Sequence, residues 1–150
     1  MPSPIENFVI KAIVRSPLHP LLGSSFAVIT VKGTKTGRLY STPINVAPQD
    51  EGYTVVSLRN RTWWRNLRRG QIARLRLAGR TLPVTATIFE DPTQVVEELA
   101  CYFQKYPAYA KYFGVKRSDD GQPSNVDLQT AAQDRVIVQL TPSPPAGRTS

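Results

Sequence analysis

The sequence predicts a mainly β, α+β domain: an antiparallel barrel of about six strands with short helices at its openings. Three observations predict it. The order of elements reads helix, three strands, short helix, two strands, helices, one strand. The strands are short and joined by tight turns, with few parallel crossovers. They are also rich in Val and Ile, which suits a closed barrel because closure leaves no exposed edge.

Residues 5–15 have Phe8, Val9, Ala12 and Ile13 at near-helical spacing and predict an amphipathic helix, stopped by Pro17 and Pro20. It either caps one end of the core or forms an interfacial anchor or lid; a strongly basic polar face, which an anchor needs, is missing. Strands follow over 26–32, 40–47 and 53–58, with Pro43 marking an edge or bulge and a turn at Asp50-Glu51-Gly52. Thr62 to Arg68 is a short helix with Thr62 as its N-cap and Gly70 as its stop. Residues 72–78 alternate apolar and basic with period two, the mark of a half-buried strand, and turn at Gly79-Arg80 into a strand over 81–89. Asp91 caps a helix over 93–105 with Val95, Val96, Leu99 and Phe103 on its buried face. A second short helix runs over 106–113. Residues 116–127 read as a loop, and 135–140 as the last strand. The domain therefore spans 1–141, and the Pro/Ser/Gly-rich stretch 142–150 is a disordered tail.

Composition bounds the function. The 150 residues, 41% of them apolar, build one domain with a real core. No apolar run approaches the roughly 20 residues of a membrane span, and no secretory signal opens the chain. Cys101 is the one cysteine. It cannot form an internal disulfide, and its mid-helix position reads as a packed, inert thiol. No metal-ligand spacing exists, so no metal is expected. The expected location is cytoplasmic. The net charge is +8 and the pI near 10.0. Arg59, Arg61, Arg65, Arg68, Arg69, Arg74, Arg76 and Arg80 fall in one window that holds no acid. Such a field attracts nucleic acid, anionic lipid or a polyanionic small molecule.

Two segments carry chemistry. Gly33-Thr34-Lys35-Thr36-Gly37-Arg38 follows the apolar run 26–31. Its glycines free backbone N–H groups to converge on one spot, and Lys35 and Arg38 add charged donors. The turn suits a phosphate or carboxylate; the plainer reading is a solvated hairpin turn. Trp63-Trp64-Arg65-Asn66-Leu67 is the second. Adjacent helical residues diverge by about 100°, so one indole is expected in the core and the other beside a cavity, where it can stack on a planar ring. Asn66 can then hydrogen-bond an amide or carbonyl; otherwise both indoles are core plugs. His19, the single histidine, lies between Leu18 and Pro20 and reads as solvent-facing or locally packed. Without another histidine no Ser-His-Asp arrangement exists. If the chain is an enzyme, a bound cofactor supplies the reactive atom.

Taken together, Gly33-Thr34-Lys35-Thr36-Gly37, Thr42-Pro43, Ser57, Trp63-Trp64-Arg65-Asn66-Leu67 and Tyr106-Pro107-Ala108-Tyr109-Ala110-Lys111-Tyr112 resemble, in order and spacing, the deazaflavin-dependent nitroreductase and quinone reductase family. The resemblance runs from about Phe26 to Leu140 and implies a split β-barrel of the flavin-reductase type. It implies that Lys35, Thr36, Gly37 and Arg38 hold the phosphate tail of the deazaflavin, coenzyme F-420. Ser57 with Arg59 and Arg61 would approach its phosphate and ring region. Trp63, Trp64 and Asn66 would lie beside its ring. Tyr106, Tyr109 and Tyr112 would lie near the substrate opening, where a phenol could donate a proton. Tyr40, counted with the cofactor-binding residues, stands where many relatives carry an arginine that assists the phosphate, and the loop from Ser57 to Trp63 is shorter than in the best-known nitroreductases.

The implied activity is hydride transfer from the reduced deazaflavin to a quinone-like, nitroaromatic or enone acceptor. The alternatives are an FMN- or FAD-binding reductase of the same fold, a non-enzymatic cofactor carrier, and a polyanion-binding protein whose aromatics stack bases. No recognised nucleic-acid motif supports sequence-specific binding. The expected partners are a small-molecule electron acceptor and a second copy in a homodimer. Peripheral membrane contact rests only on the charge and the N-terminal helix.

Overall fold

A computed structural model describes residues 25–143. The expected helix 5–15, His19 and the tail beyond residue 143 lie outside the described residues. The elements are β1 (Ser25–Lys32), β2 (Leu39–Gln49), β3 (Gly52–Leu58), a first 3₁₀ helix (Trp63–Leu67), β4 (Ala73–Leu77), β5 (Arg80–Phe89), α1 (Pro92–Lys105), a second 3₁₀ helix (Pro107–Phe113), α2 (Asn125–Gln133) and β6 (Arg135–Pro142). The strands hydrogen-bond in the order β1-β2-β3-β6-β5-β4 as a closed barrel, with β4 pairing back onto β1 in antiparallel register. The chain is thus the mainly β, six-stranded antiparallel barrel that its sequence predicts. No helix among the described residues is long and apolar enough to cross a membrane.

By internal contact the described residues form two compact units: residues 25–55 with Thr62–Thr87 and residues 139–143, and Val56–Arg61 with Ile88–Val138.

In the first unit, strand alternation sorts side chains by chemistry. Ala27, Ile29 and Val31 of β1 are buried, as are Ala73 and Leu75 of β4 and Val84 of β5. Burying an Ile, Val or Leu side chain stabilises by about 1.5–3 kcal/mol. The intervening Arg74 and Arg76 are exposed. Arg74 stands opposite Thr30 of β1 and Pro83 of β5. Pro43 lies opposite Val28, whereas the described β2–β3 pairs run only from Ala47 to Gln49. Its missing N–H therefore falls on a stretch of β2 outside those pairs. The β4–β5 turn sits one residue earlier than predicted. Leu77 pairs with Arg80, and the turn residues are Ala78 (φ 51°) and Gly79 (φ 78°), the two positive φ values of a type I′ hairpin. At Gly52 a Cβ would run into the Leu140 carbonyl oxygen, so only glycine lets β6 come this close.

In the second unit, α1 starts where predicted. Asp91 Oδ1 accepts the Thr93 N–H at 2.9 Å, and Pro92 occupies the first turn, where its lost N–H is not missed. Val95, Leu99, Tyr102 and Phe103 form its buried stripe against α2, whose buried residues are Leu128, Ala131 and Ala132. Cys101 falls off that stripe and is exposed, which corrects the reading of a packed thiol. α2 begins inside the stretch 116–127 that the composition predicts as a loop. Ser124 caps it by accepting the Asp127 N–H at 3.4 Å. The last strand runs on to Pro142, two residues past the predicted end.

Candidate functional site

The cationic turn joins β1 to β2 after the Lys32–Leu39 pair. It is more self-contained than the sequence suggested. Gly33 N–H donates to Arg38 O at 2.7 Å and Gly37 N–H to Gly33 O at 2.8 Å. Arg38 N–H donates to Thr36 Oγ1 at 3.2 Å. Thr34 N–H donates to Asn66 Oδ1 at 3.1 Å. These four N–H groups are spent inside the chain, so the expected cradle of converging amides shrinks to Lys35 and Thr36, which have no internal acceptor among the described hydrogen bonds. Gly37 holds φ 72°, a left-handed conformation that favours glycine. Gly33 is required for a different reason. A Cβ there would lie 2.6 Å from the Tyr40 ring. Tyr40 closes over that glycine, and its hydroxyl bonds Thr36 Oγ1 at 3.0 Å; the ring braces the turn that it was expected to supplement as a ligand contact. The side chains of Lys35 and Arg38 are exposed, with no carboxylate partner among the described residues. This donor set suits an anion.

Asn66 ties the second segment to the turn. Its Oδ1 takes the Thr34 N–H, and its Nδ2 donates to Thr62 O at 3.2 Å. The 3₁₀ helix differs from expectation in two ways. Thr62 makes no side-chain cap bond, and both indoles are buried, Trp63 6% and Trp64 1% exposed. The division into one core ring and one open ring is therefore corrected: a 3₁₀ turn of five residues drives both rings into the first unit's core. Arg65 and Arg68 bracket Trp64, with guanidinium carbons 5.2 and 5.0 Å from the ring centroid. Each such cation–π contact contributes about 0.5–1 kcal/mol at an exposed site. Trp64 Nε1 is buried with no hydrogen-bond acceptor among the described residues.

The remaining expected residues belong to the second unit. Ser57 is buried, and its hydroxyl donates to Leu58 O at 3.1 Å. Arg59 is committed to the backbone. Its Nη2 donates to Glu90 O at 2.7 Å and Arg135 O at 3.0 Å, and its Nε to Gln133 O at 3.2 Å. It closes the C-terminal end of α2, where a cation meets carbonyls left without helical partners. The expectation that Arg59 binds phosphate is corrected on that ground. Arg61 is exposed.

Tyr106, Tyr109 and Tyr112 have three different settings. Tyr109 is 2% exposed, and its hydroxyl has no partner among the described residues. Tyr106 stacks on it with centroids 5.0 Å apart and planes within 7°. Tyr112 is 40% exposed, with Lys111 Nζ 5.2 Å from its ring centre. Tyr102, which the sequence reading passed over, is the centre of the cluster, its ring within 5.6 Å of Phe103 and Tyr106 and 5.7 Å of Tyr109. Its i,i+4 spacing to Tyr106 was the available signal. Burial, then the neighbouring Tyr109 and Tyr106, push the Tyr102 phenol well above its ordinary range. Burial and then Tyr109 raise Tyr106 as well. Both phenols stay protonated at neutral pH and can donate a hydrogen bond but cannot serve as bases.

Comparison with known proteins places this geometry in a family. The family model described as F420H(2)-dependent quinone reductase matches residues 12–122. No curated protein matches the sequence. Among solved structures, the protein Atu2129 of Agrobacterium tumefaciens, described as of unknown function, aligns at 17% identity over 83% of this chain and 51% of its own, with a TM-score of 0.54. This chain thus spans about half the length of that protein. A putative 5-nitroimidazole antibiotic resistance protein of Bacteroides thetaiotaomicron aligns at 10% identity over 93% of this chain and 80% of its own, with a TM-score of 0.50. These structures share the fold. The chain belongs to the F420H(2)-dependent quinone reductase family.

Proposed function

We propose that this chain is an oxidoreductase that reduces a quinone-like, nitroaromatic or enone acceptor with the deazaflavin coenzyme F-420, which in its reduced form supplies hydride when bound. The observation that carries the reading is the family match over residues 12–122. The uncommitted donors of the β1–β2 turn fit it: the cofactor's tail is a polyanion, and Lys35 and Arg38 are exposed with no carboxylate partner among the described residues. In this reading Lys35, Thr36, Gly37 and Arg38 hold the tail. Trp63 and Trp64, buried in the core, support the site from beneath without touching the ring, and Asn66 fixes the turn and the Trp-bearing helix to each other. Arg59 drops out because its guanidinium is already bound. The protein's contribution is orientation and exclusion of water. Tyr112, the most exposed of the three phenols, is the proposed proton donor. FMN and FAD draw no support from the family.

The test is a fluorescence titration of the purified chain with F-420, FMN and FAD, followed by turnover of menadione with the reduced deazaflavin. Micromolar binding of F-420 alone, weakened about tenfold by Lys35→Ala, supports the reading. Absence of F-420 binding overturns it, and binding without turnover leaves a carrier. Tyr112→Phe should lower turnover while leaving the F-420 dissociation constant unchanged.

A further inference from the structure

The second 3₁₀ helix has a side that the proposed activity does not use. Pro107, Ala110 and Val115, together with Lys111, Lys116 and Arg117, line a cavity of about 520 Å³. That volume is within the range of small-molecule sites, which are mostly apolar with a few fixed polar groups.

Two features make this a built site. The lining is held in place by backbone hydrogen bonds. Gly114, at φ 72°, ends the helix, and Val115 N–H donates to Ala110 O at 3.0 Å. Ser124 N–H donates to Lys116 O at 2.7 Å, and Arg117 bridges Pro123. The positions of Lys116 and Arg117 are thus fixed at the backbone before any ligand arrives. Two of the three nearby acids, in addition, are engaged in local hydrogen bonds, and the third, Asp119, is exposed. Asp127 Oδ2 accepts the Lys116 N–H at 2.9 Å. Asp120 Oδ1 accepts from Ser118 Oγ at 2.6 Å and from the Gln122 N–H at 3.0 Å, bonds that hold its carboxyl below the usual range, Ser118 foremost. Among the described residues no carboxylate pairs with Lys111, Lys116 or Arg117. Three cations without a carboxylate partner among the described residues, beside an apolar lining, suit an amphipathic anion.

We propose that this cavity binds an amphipathic organic anion, with a phosphate or carboxylate head on Lys111, Lys116 and Arg117 and an apolar body against Pro107, Ala110 and Val115. The site does not depend on the cofactor reading, because all its residues lie outside the β1–β2 turn and the Trp-bearing helix. Its occupant would bear on Tyr112 through the shared 3₁₀ helix.

The experiment uses the full chain without cofactor. Decyl phosphate is titrated by calorimetry with decanol as the uncharged control, and binding to phosphatidic acid vesicles is followed by co-sedimentation. The variants are Lys116→Gln/Arg117→Gln, and Ala108→Trp, which narrows the mouth from an exposed position. Saturable one-to-one binding of decyl phosphate, weakened at least about tenfold by the double variant and weakened by Ala108→Trp, assigns a free amphipathic anion. Vesicle capture lost in the double variant, without binding of decyl phosphate, assigns a lipid headgroup. No binding in either arm, equal binding of decanol, or binding that the double variant leaves intact overturns the proposal. Circular dichroism of each variant verifies the fold, and the cofactor titration above is scored separately.

Discussion

Asn66 Oδ1 accepts the Thr34 N–H at 3.1 Å across 32 residues of sequence. One side chain thereby fixes the position of the cationic turn against the helix that carries both tryptophans. Its amide nitrogen, bonded to Thr62 O, keeps the acceptor oxygen pointed at the turn.

Asn66→Ala removes that tie. The predicted stability loss is about 1 kcal/mol, the net value of a partly exposed hydrogen bond. Hydrogen exchange at the Thr34 amide should accelerate by several-fold or more, and the F-420 dissociation constant should rise. Exchange measured by NMR on the variant checks the first effect, and unchanged protection at Thr34 would show that the bond does not form in solution.

Arg59→Gln leaves the Glu90, Gln133 and Arg135 carbonyls without their donor. The expected cost is about 2–3 kcal/mol by urea unfolding, because these are bonds to a charged group in a part-buried setting. Arg59→Lys should recover little of it, since an ammonium lacks the planar fork that reaches several carbonyls at once. Cofactor affinity should be unchanged in both variants.

Ala78→Asn should stabilise the chain by about 0.5–1 kcal/mol, because alanine is held at positive φ in a turn that prefers asparagine before glycine. A rise in the urea midpoint at constant slope is the readout.

The tyrosine cluster predicts a loss of stability in alkali. The Tyr102 and Tyr106 phenols are raised above the ordinary tyrosine value of about 10 by burial and by neighbouring tyrosines. Below that value both folded and unfolded chains keep the proton, and the stabilisation is fully present. Above it the unfolded chain releases protons first, so stability falls as pH rises through the folded-state values. Unfolding free energies at about pH 9 and about pH 11 should differ less in Tyr102→Phe than in the parent chain.

What the sequence made legible was local. The Asp91 cap, the period-two alternation of 72–78 and the glycine at 37 each depend on residues within one element. What it hid was tertiary. The acceptors of Arg59 lie 31 to 76 residues away, so no window on the chain could assign its guanidinium to α2. Helix α2 was lost because its nine residues bury only three small or medium side chains and its start lies in a polar, Gly/Pro-rich stretch. Cys101 could have been placed by the period that found Leu99: two positions along a helix is about 200° around it, the opposite side from the buried stripe. In the turn, glycine content suggested free amides, but carbonyl and side-chain oxygens of the turn itself, with Asn66, took most of them.

The placement of the aromatic residues gives the molecule two separate optical reporters. Both tryptophans belong to the first compact unit, while Tyr102, Tyr106, Tyr109 and Tyr112 belong to the second. Indole emission therefore follows melting of one unit. The near-ultraviolet dichroism adds the packed phenols to the indoles, so a melt in which it departs from the emission curve shows that the two units unfold in sequence and not together.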